Sequence, residues 1–230
     1  MFCLPHAGGG AASFFRWQKQ LGDRLAVIPI LLPGRESRFA EPAYDNLEHL
    51  LDDLMDDLVS RLPQQYAFFG HSMGALIAFE LTHRLQQERL ELPQRLFLSA
   101  VQSPQLPRRH DQLQNLADDD LVSAVVHRYM AAVNVSAAEK ELMGLMVKTL
   151  RADITLLKTH KFNSARDPLP CPFSVYGGRE DPVVSQQDLE GWAELTAGHF
   201  ELQMVAGDHF YLRQHEDVVC QMLQSRLSLA

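Results

Sequence analysis

Cysteine is scarce in this 230-residue chain: Cys3, Cys171 and Cys220 stand far apart, and no C-x-x-C occurs. An odd, dispersed set argues against a disulfide framework and leads to the expectation of reduced core thiols in a cytoplasmic protein. No run approaches the ~18 consecutive apolar residues of a membrane span. The opening Met1-Phe2-Cys3-Leu4-Pro5-His6 has neither a basic segment nor a long apolar core, so no secretion signal is expected. Basic residues are outnumbered, 21 against 29 acidic, for a formal charge of −8. That balance weighs against nucleic-acid binding through a broad basic face. No G-x-x-x-x-G-K-[ST] and no H-E-x-x-H is present, so P-loop nucleotide hydrolysis and zinc proteolysis lack support. A dinucleotide fingerprint in the early glycine loop would need glycine where Ser13 stands. No cofactor or metal is expected.

What is present is an ordinary globular balance, 46% hydrophobic and 22% charged, which excludes wholesale disorder. Short apolar runs bounded by Gly or Pro alternate with helical periodicity. Strands are predicted at Phe2–Leu4, Val27–Leu32, Tyr66–Phe69, Arg95–Ala100, Phe173–Tyr176 and Phe200–Val205. Leu47, Leu50, Leu51, Leu54, Leu58 and Leu62 fall on one helix face, with Asp52, Asp53, Asp56 and Asp57 on a solvated acidic side. A second helix runs through Leu76, Ile77, Phe79, Leu81 and Leu85, and a closing helix carries Val218, Val219, Met222, Leu223 and Leu227. Apolar strands separated by helices imply a parallel sheet covered on both faces, an α/β fold. The stretch from about 105 to 163 is helical in pattern and too long for a bare loop, so it reads as a helical insertion over one end of the sheet. No repeat or linker divides the chain, and residues 1–230 are expected to form a single domain acting as a monomer.

The sharpest motif is Gly70-His71-Ser72-Met73-Gly74, a G-x-S-x-G between a predicted strand and a predicted helix. Chance supplies such a pentapeptide in roughly 4% of chains of this composition, and the strand-helix context lowers that further. The serine must occupy a sharp, strained turn at the sheet's carboxyl edge, and flanking glycines allow the close approach this needs. Its hydroxyl requires an adjacent base, itself oriented by an acid, following in the order Ser, Asp or Glu, His. Among His199, His209 and His215, only His209 directly follows the sixth strand and so emerges at the serine's edge. The end of the fifth strand supplies Glu180 and Asp181; Asp181, fixed by Pro182, is favoured, and Asp208 adjoins the histidine too closely in sequence to face it. An oxyanion hole needs two backbone N–H groups. Met73 follows the nucleophile, and Ala7 in His6-Ala7-Gly8-Gly9-Gly10 follows the first strand.

Four blocks together carry a family resemblance: Phe2-Cys3-Leu4-Pro5-His6-Ala7-Gly8-Gly9, Pro33-Gly34-Arg35-Glu36-Ser37-Arg38, Phe69-Gly70-His71-Ser72-Met73-Gly74-Ala75 and Asp208-His209-Phe210. In this order they resemble the type II thioesterases, stand-alone α/β-hydrolases that accompany nonribosomal peptide and polyketide synthases. The serine block is shared with lipases and esterases; the His-Ala-Gly-Gly and Pro-Gly-Arg blocks are the specific ones. The resemblance implies hydrolysis of acyl groups from the phosphopantetheine thiol of carrier proteins. It also implies a triad of Ser72, Asp181 and His209, with Ala7 and Met73 as oxyanion donors. The chain departs from the family where Asp208 stands in place of a common glycine, and in starting almost on its first strand. Leu142, Met143, Leu145, Met146, Leu150, Leu156 and Leu157, with Met130 nearby, suggest an adaptable acyl chamber beneath a lid, or ordinary helix packing. Arg35, Arg38, Arg108, Arg109, Lys158 and Lys161 are candidates for docking an acidic carrier protein. Other readings of the same residues are a general carboxylesterase, an acyltransferase, and a non-catalytic binding protein of this fold.

Overall fold

The computed structural model describes residues 1–23, 25–107, 113–129 and 136–227. Six strands, β1 (Phe2–Leu4), β2 (Ile28–Pro29), β3 (Phe68–His71), β4 (Leu96–Ser99), β5 (Phe173–Gly178) and β6 (Phe200–Val205), form one sheet. Their order is β2-β1-β3-β4-β5-β6, and all five pairings are parallel. The order reverses between β1 and β3, and the carboxyl ends of strands at such a switch are where open α/β sheets bind ligands. The loops leaving these two strands carry His6–Gly10 and Ser72.

Strand alternation divides the core. Phe2, Leu4, Phe68, Leu96 and Leu98 pack on one face, against α2 (Leu47–Leu58) and α3 (Met73–Gln87). Cys3, Phe69 and Phe97 point to the other, against α1 (Trp17–Leu21) and α8 (Glu216–Leu227). The α2 helix starts where Asn46 accepts from the N–H groups of Glu48 and His49, at 2.9 and 3.3 Å, satisfying two donors that a helix start leaves open. Its apolar stripe is buried as the periodicity predicts, although the regular helix stops at Leu58. Asp52 on its polar side is tied down, bonding Arg84 of α3 at 2.7 Å beside Glu48. Between β4 and β5 run α4 (Asp118–Tyr129), α5 (Ala137–Leu145) and α6 (Val147–Thr159), with a separate small core around Leu121, Val125, Leu150 and Ile154. After β5 comes α7 (Gln186–Glu190), held by a reciprocal cap between Ser185 and Asp188. Among the described residues no helix is long and apolar enough to cross a membrane.

The base of α6 is fastened to α3 through a buried carboxylate. Glu80 accepts from His160 Nε2 at 2.7 Å and from Arg166 Nη1 at 2.5 Å. Burial alone pushes Glu80 up, but these two hydrogen bonds and the accompanying charges outweigh it and hold the group below its ordinary value of 4.5. A carboxyl whose folded pKa is lowered adds stability that is complete above its unfolded pKa and lost as pH falls through the folded one. Glu80→Ala should therefore cost up to about 3 kcal/mol near neutrality, the low end for breaking a buried pair because Arg166 reaches water. In urea unfolding, the gap to the parent should stay constant above about pH 5 and close on further acidification; a gap independent of pH would contradict this.

Candidate active site

β3 ends at His71 and α3 begins at Met73, so Ser72 alone makes the turn. Its backbone angles are φ 53° and ψ −116°, a conformation costing about 1–3 kcal/mol for a residue with a side chain. Neighbouring contacts hold it there. The Ser72 N–H donates to the Ser99 carbonyl at 2.7 Å. A Cβ on Gly70 would collide with the Gly74 carbonyl, and one on Gly74 with the carbonyl of Leu4 in β1. Glycine at both places lets β1, β3 and the start of α3 close around the turn, leaving the hydroxyl beside a helix amino terminus that favours negative charge.

The imidazole and the carboxylate nearest Ser72 arrive from the two strands beyond β4. His209 follows β6 and Asp181 follows β5. Asp181 Oδ1 accepts from the N–H groups of Val183 and Val184 at 2.8 and 3.1 Å, which turns Oδ2 toward His209 Nδ1 at 2.7 Å. His209 Nε2 lies 3.1 Å from Ser72 Oγ. With the Asp181 side chain fully buried and that of His209 only 3% exposed, water does not compete for this line. The carboxylate fixes the tautomer: Nδ1–H donates to it, so Nε2 is left to accept the serine proton. An arrangement of this kind can make a weak hydroxyl a nucleophile.

The remaining sequence candidates occupy other places. Glu180 clamps the loop before His209, accepting from the Gly207 N–H through its side chain and donating its own N–H to the Gly207 carbonyl at 3.0 Å. A Cβ on Gly178 would strike the Gly207 and Asp208 carbonyls, so the β5 end and this loop lie in direct contact. Asp208 Oδ1 accepts from the Phe210 N–H at 2.8 Å, tightening the turn that presents His209. His199 sits at the opposite sheet edge, its carbonyl accepting from Phe173 N–H, and His215 precedes α8. Ala7 and Met73 line the same cavity as Ser72 and His209.

That cavity has a volume of about 510 Å3. Its far wall comes from Leu113, Val125, Leu150, Ile154 and Leu157, so the insertion closes over the Ser72 edge of the sheet. Among the described residues, the part of the expected acyl chamber that lines the cavity is Leu150 and Leu157; Met73 is the methionine in the described wall, and Met143 packs against the small helical core. Leu156 packs into the main core, Leu145 faces solvent, and Met130 and the side chain of Leu142 lie outside the described residues. Tyr129, at the end of α4, places its ring 4.9 Å from that of His209, a contact that no sequence pattern indicates.

Among the basic candidates, Arg35 is a correction. It does not stand at the mouth; it is buried, with Nη2 bonded to Asp153 Oδ1 of α6 at 2.8 Å. Burial is affordable only because guanidinium and carboxylate meet side by side. Arg38 is engaged with Glu41 at 2.6 and 2.9 Å and with the Leu31 carbonyl. Lys158 lines the cavity and Lys161 is exposed. Arg108 and Arg109 lie outside the described residues.

The family model for the thioesterase domain matches residues 1–227. The chain belongs to the thioesterase family. It is 33% identical to the gramicidin S biosynthesis protein GrsT of Aneurinibacillus migulanus, an alignment covering all of this chain and 90% of that protein. The type II thioesterase BorB from the borrelidin biosynthetic cluster superposes with a TM-score of 0.89 at 32% identity, over 98% of this chain and 91% of BorB. RedJ, a thioesterase from the prodiginine pathway of Streptomyces coelicolor, superposes with a TM-score of 0.87 at 30% identity, over 97% of this chain and 84% of RedJ. These thioesterases share the α/β-hydrolase fold, and the mostly parallel sheet flanked by helices is that fold.

Two more imidazoles surround the base. The His6 ring meets Phe210 edge-on at 4.9 Å, and His71 Nδ1 bonds Ser99 Oγ at 2.7 Å, which in turn bonds the Tyr211 hydroxyl at 2.5 Å. Burial, then the neighbouring Arg213, His209 and Arg35, pushes His6 down to about 3; His71 is lowered well below its ordinary value, again mainly by burial. Both stay neutral near pH 7. His83 in α3, against Phe79, is likewise lowered to about 4 by burial. Because these groups bind protons in the unfolded chain from pH 6.5 downward but not in the folded one, acid favours unfolding. Unfolding free energy should fall steadily from about pH 6.5 toward about 4, and His83→Phe should make that slope shallower by about one proton. An unchanged slope would contradict the burial account.

Proposed function

We propose that this thioesterase hydrolyses acyl groups from the phosphopantetheine arm of carrier proteins serving a nonribosomal peptide or polyketide synthase, through an acyl-serine intermediate. The observation that carries the reading is the line from Ser72 Oγ to His209 Nε2 at 3.1 Å and from His209 Nδ1 to Asp181 at 2.7 Å, at the wall of an apolar cavity. Family membership and the biosynthetic settings of GrsT and BorB support the substrate class.

In the first half-reaction His209 Nε2 takes the Ser72 proton as Oγ attacks the thioester carbonyl carbon. The oxyanion is received by the N–H groups of Ala7 and Met73. The C–S bond breaks, His209 returns its proton to the departing thiol, and the acyl group stays on Ser72. In the second half water attacks the acyl-serine, His209 again taking and returning a proton, and the free acid leaves. Each oxyanion donor contributes roughly 10²–10³ in rate. The insertion serves as a lid that keeps the acyl chain in an apolar cavity, while the thiol arm exits past its rim. Single-chain provenance of all three side chains suits a monomer, and three buried free cysteines suit a reducing cytoplasm.

Turnover of an acyl-carrier thioester should exceed that of a matched free ester, with free acid as product even when an alcohol is added. Ser72→Ala should lower kcat by about 10⁵–10⁶, and Asp181→Asn by about 10⁴, because amide substitution favours the wrong imidazole tautomer. Equal rates on ester and thioester would favour a general esterase, and acylated alcohol a transferase. Lys161 lies just beyond α6, whose Lys158 lines the cavity; the proposed carrier surface is acidic. Lys161→Glu should raise KM for the acyl-carrier protein and leave a small acyl-pantetheine thioester unaffected; equal effects on both would remove Lys161 from docking.

A further inference from the structure

We propose that Arg35 and Asp153 form a positioning pair that sets the backbone of the loop after β1, orients the Ala7 N–H toward the oxyanion, and makes this geometry depend on α6. The inference rests on the acyl-serine reading above.

The loop is gripped from both sides of its backbone. Asp153 Oδ2 accepts from the Gly8 N–H at 2.7 Å, the amide directly after that of Ala7. Arg35 Nη1 donates to the Gly9 carbonyl at 2.8 Å and to Asp153 Oδ2 at 3.0 Å, while Nη2 reaches Asp153 Oδ1 at 2.8 Å. Arg35 Nε closes back on the Pro33 carbonyl at 3.2 Å. One turn earlier on α6, Thr149 Oγ1 donates to the Gly34 carbonyl at 2.6 Å, so the helix also holds the loop that carries Arg35. Gly8 itself sits at φ +73°, with Leu150 of α6 directly above its α-carbon. With the Gly8 N–H and the Gly9 carbonyl both fixed, the preceding amide has little freedom to turn.

Two physical arguments separate this from plain packing. Stability alone gives no reason for an ion pair here, since apolar residues of similar volume often replace buried pairs without loss. What apolar side chains cannot do is accept from one backbone amide and donate to a carbonyl one residue on. Charge matters as well. An unpaired carboxylate beside Gly8 would oppose the negative oxygen that Ala7 is to stabilise, and Arg35 cancels it at contact. The lone carboxylate on the buried side of α6 thereby acquires a reason that its apolar neighbours do not share.

The test compares the parent, Ser72→Ala, Arg35→Met and Asp153→Asn on one acyl-pantetheine thioester and its dithioester analogue, whose sulfur accepts hydrogen bonds poorly. Loss of activity in Ser72→Ala secures the acyl-serine reading separately; retained activity there would remove that reading rather than the pair. In Arg35→Met and Asp153→Asn, kcat for the thioester should fall about 10²-fold, the scale of a 1 Å misplacement. KM should change less than about twofold, and the thioester-to-dithioester rate ratio should shrink, because the lost interaction is with the developing oxyanion. Asp153→Asn preserves shape and decides the matter if Arg35→Met does not fold. Unchanged kcat in either folded variant, or a fall in kcat with the rate ratio at its parent value, would overturn the proposal.

Discussion

The site depends on one buried hydrogen bond, from His209 Nδ1 to Asp181 Oδ2 at 2.7 Å. Its partners lie 28 residues apart in sequence and leave neighbouring strands, so the bond exists only when β5 and β6 are paired in register through to Gly178 and Val205. Two further contacts serve that register. Glycine at 178 lets the Gly207–Asp208 backbone lie against the strand end, and Glu180 holds Gly207 from outside. The imidazole orientation is thus a consequence of sheet geometry, and Ser72 meets it because β3 ends at the same edge.

A serine with φ 53° between a strand and a helix would relax if its surroundings allowed it. They do not, because β1, β3 and α3 are packed at glycine distance and the Ser72 amide is committed to Ser99. Stability stored in the sheet is spent locally to expose one hydroxyl at the switch point between β1 and β3. The excursion of α4 to α6 then encloses it in apolar surroundings, where electrostatic interactions are stronger than in water.

Much of this was legible in the sequence, and the parts that were not have physical reasons. Strand β6 occupies the predicted residues and β5 runs two residues further, since alternating or continuous apolar runs bounded by Gly and Pro are strong signals. The β2 signal, Val27–Leu32, overstates a strand that pairs only at Ile28 and Pro29, because apolar content reports burial rather than ladder hydrogen bonds. Helix α1 spans too few residues to show periodicity, and its role rests on Trp17, whose ring lies 4.7 Å from Phe69. At the site, the G-x-S-x-G motif singles out Ser72, and chain order and strand edge single out His209; they leave Glu180 and Asp181 open, and Pro182 favours Asp181, the one found against His209. The sequence alone puts Arg35 at the surface, since arginine is rarely buried and its partner Asp153 is 118 residues away. The available clue was Asp153 itself, a single acid among Leu150, Ile154 and Leu157 on a helix face that otherwise reads as apolar.

The most direct measurement of the central claim is the mass of the intact protein, and of its Ser72 peptide, quenched during turnover of a slowly hydrolysed acyl thioester. The account predicts a population heavier by one acyl group, located on Ser72, and no such species in His209→Ala. Hydrolysis proceeding at full rate with no acylated Ser72, or with the acyl group on another residue, would contradict it.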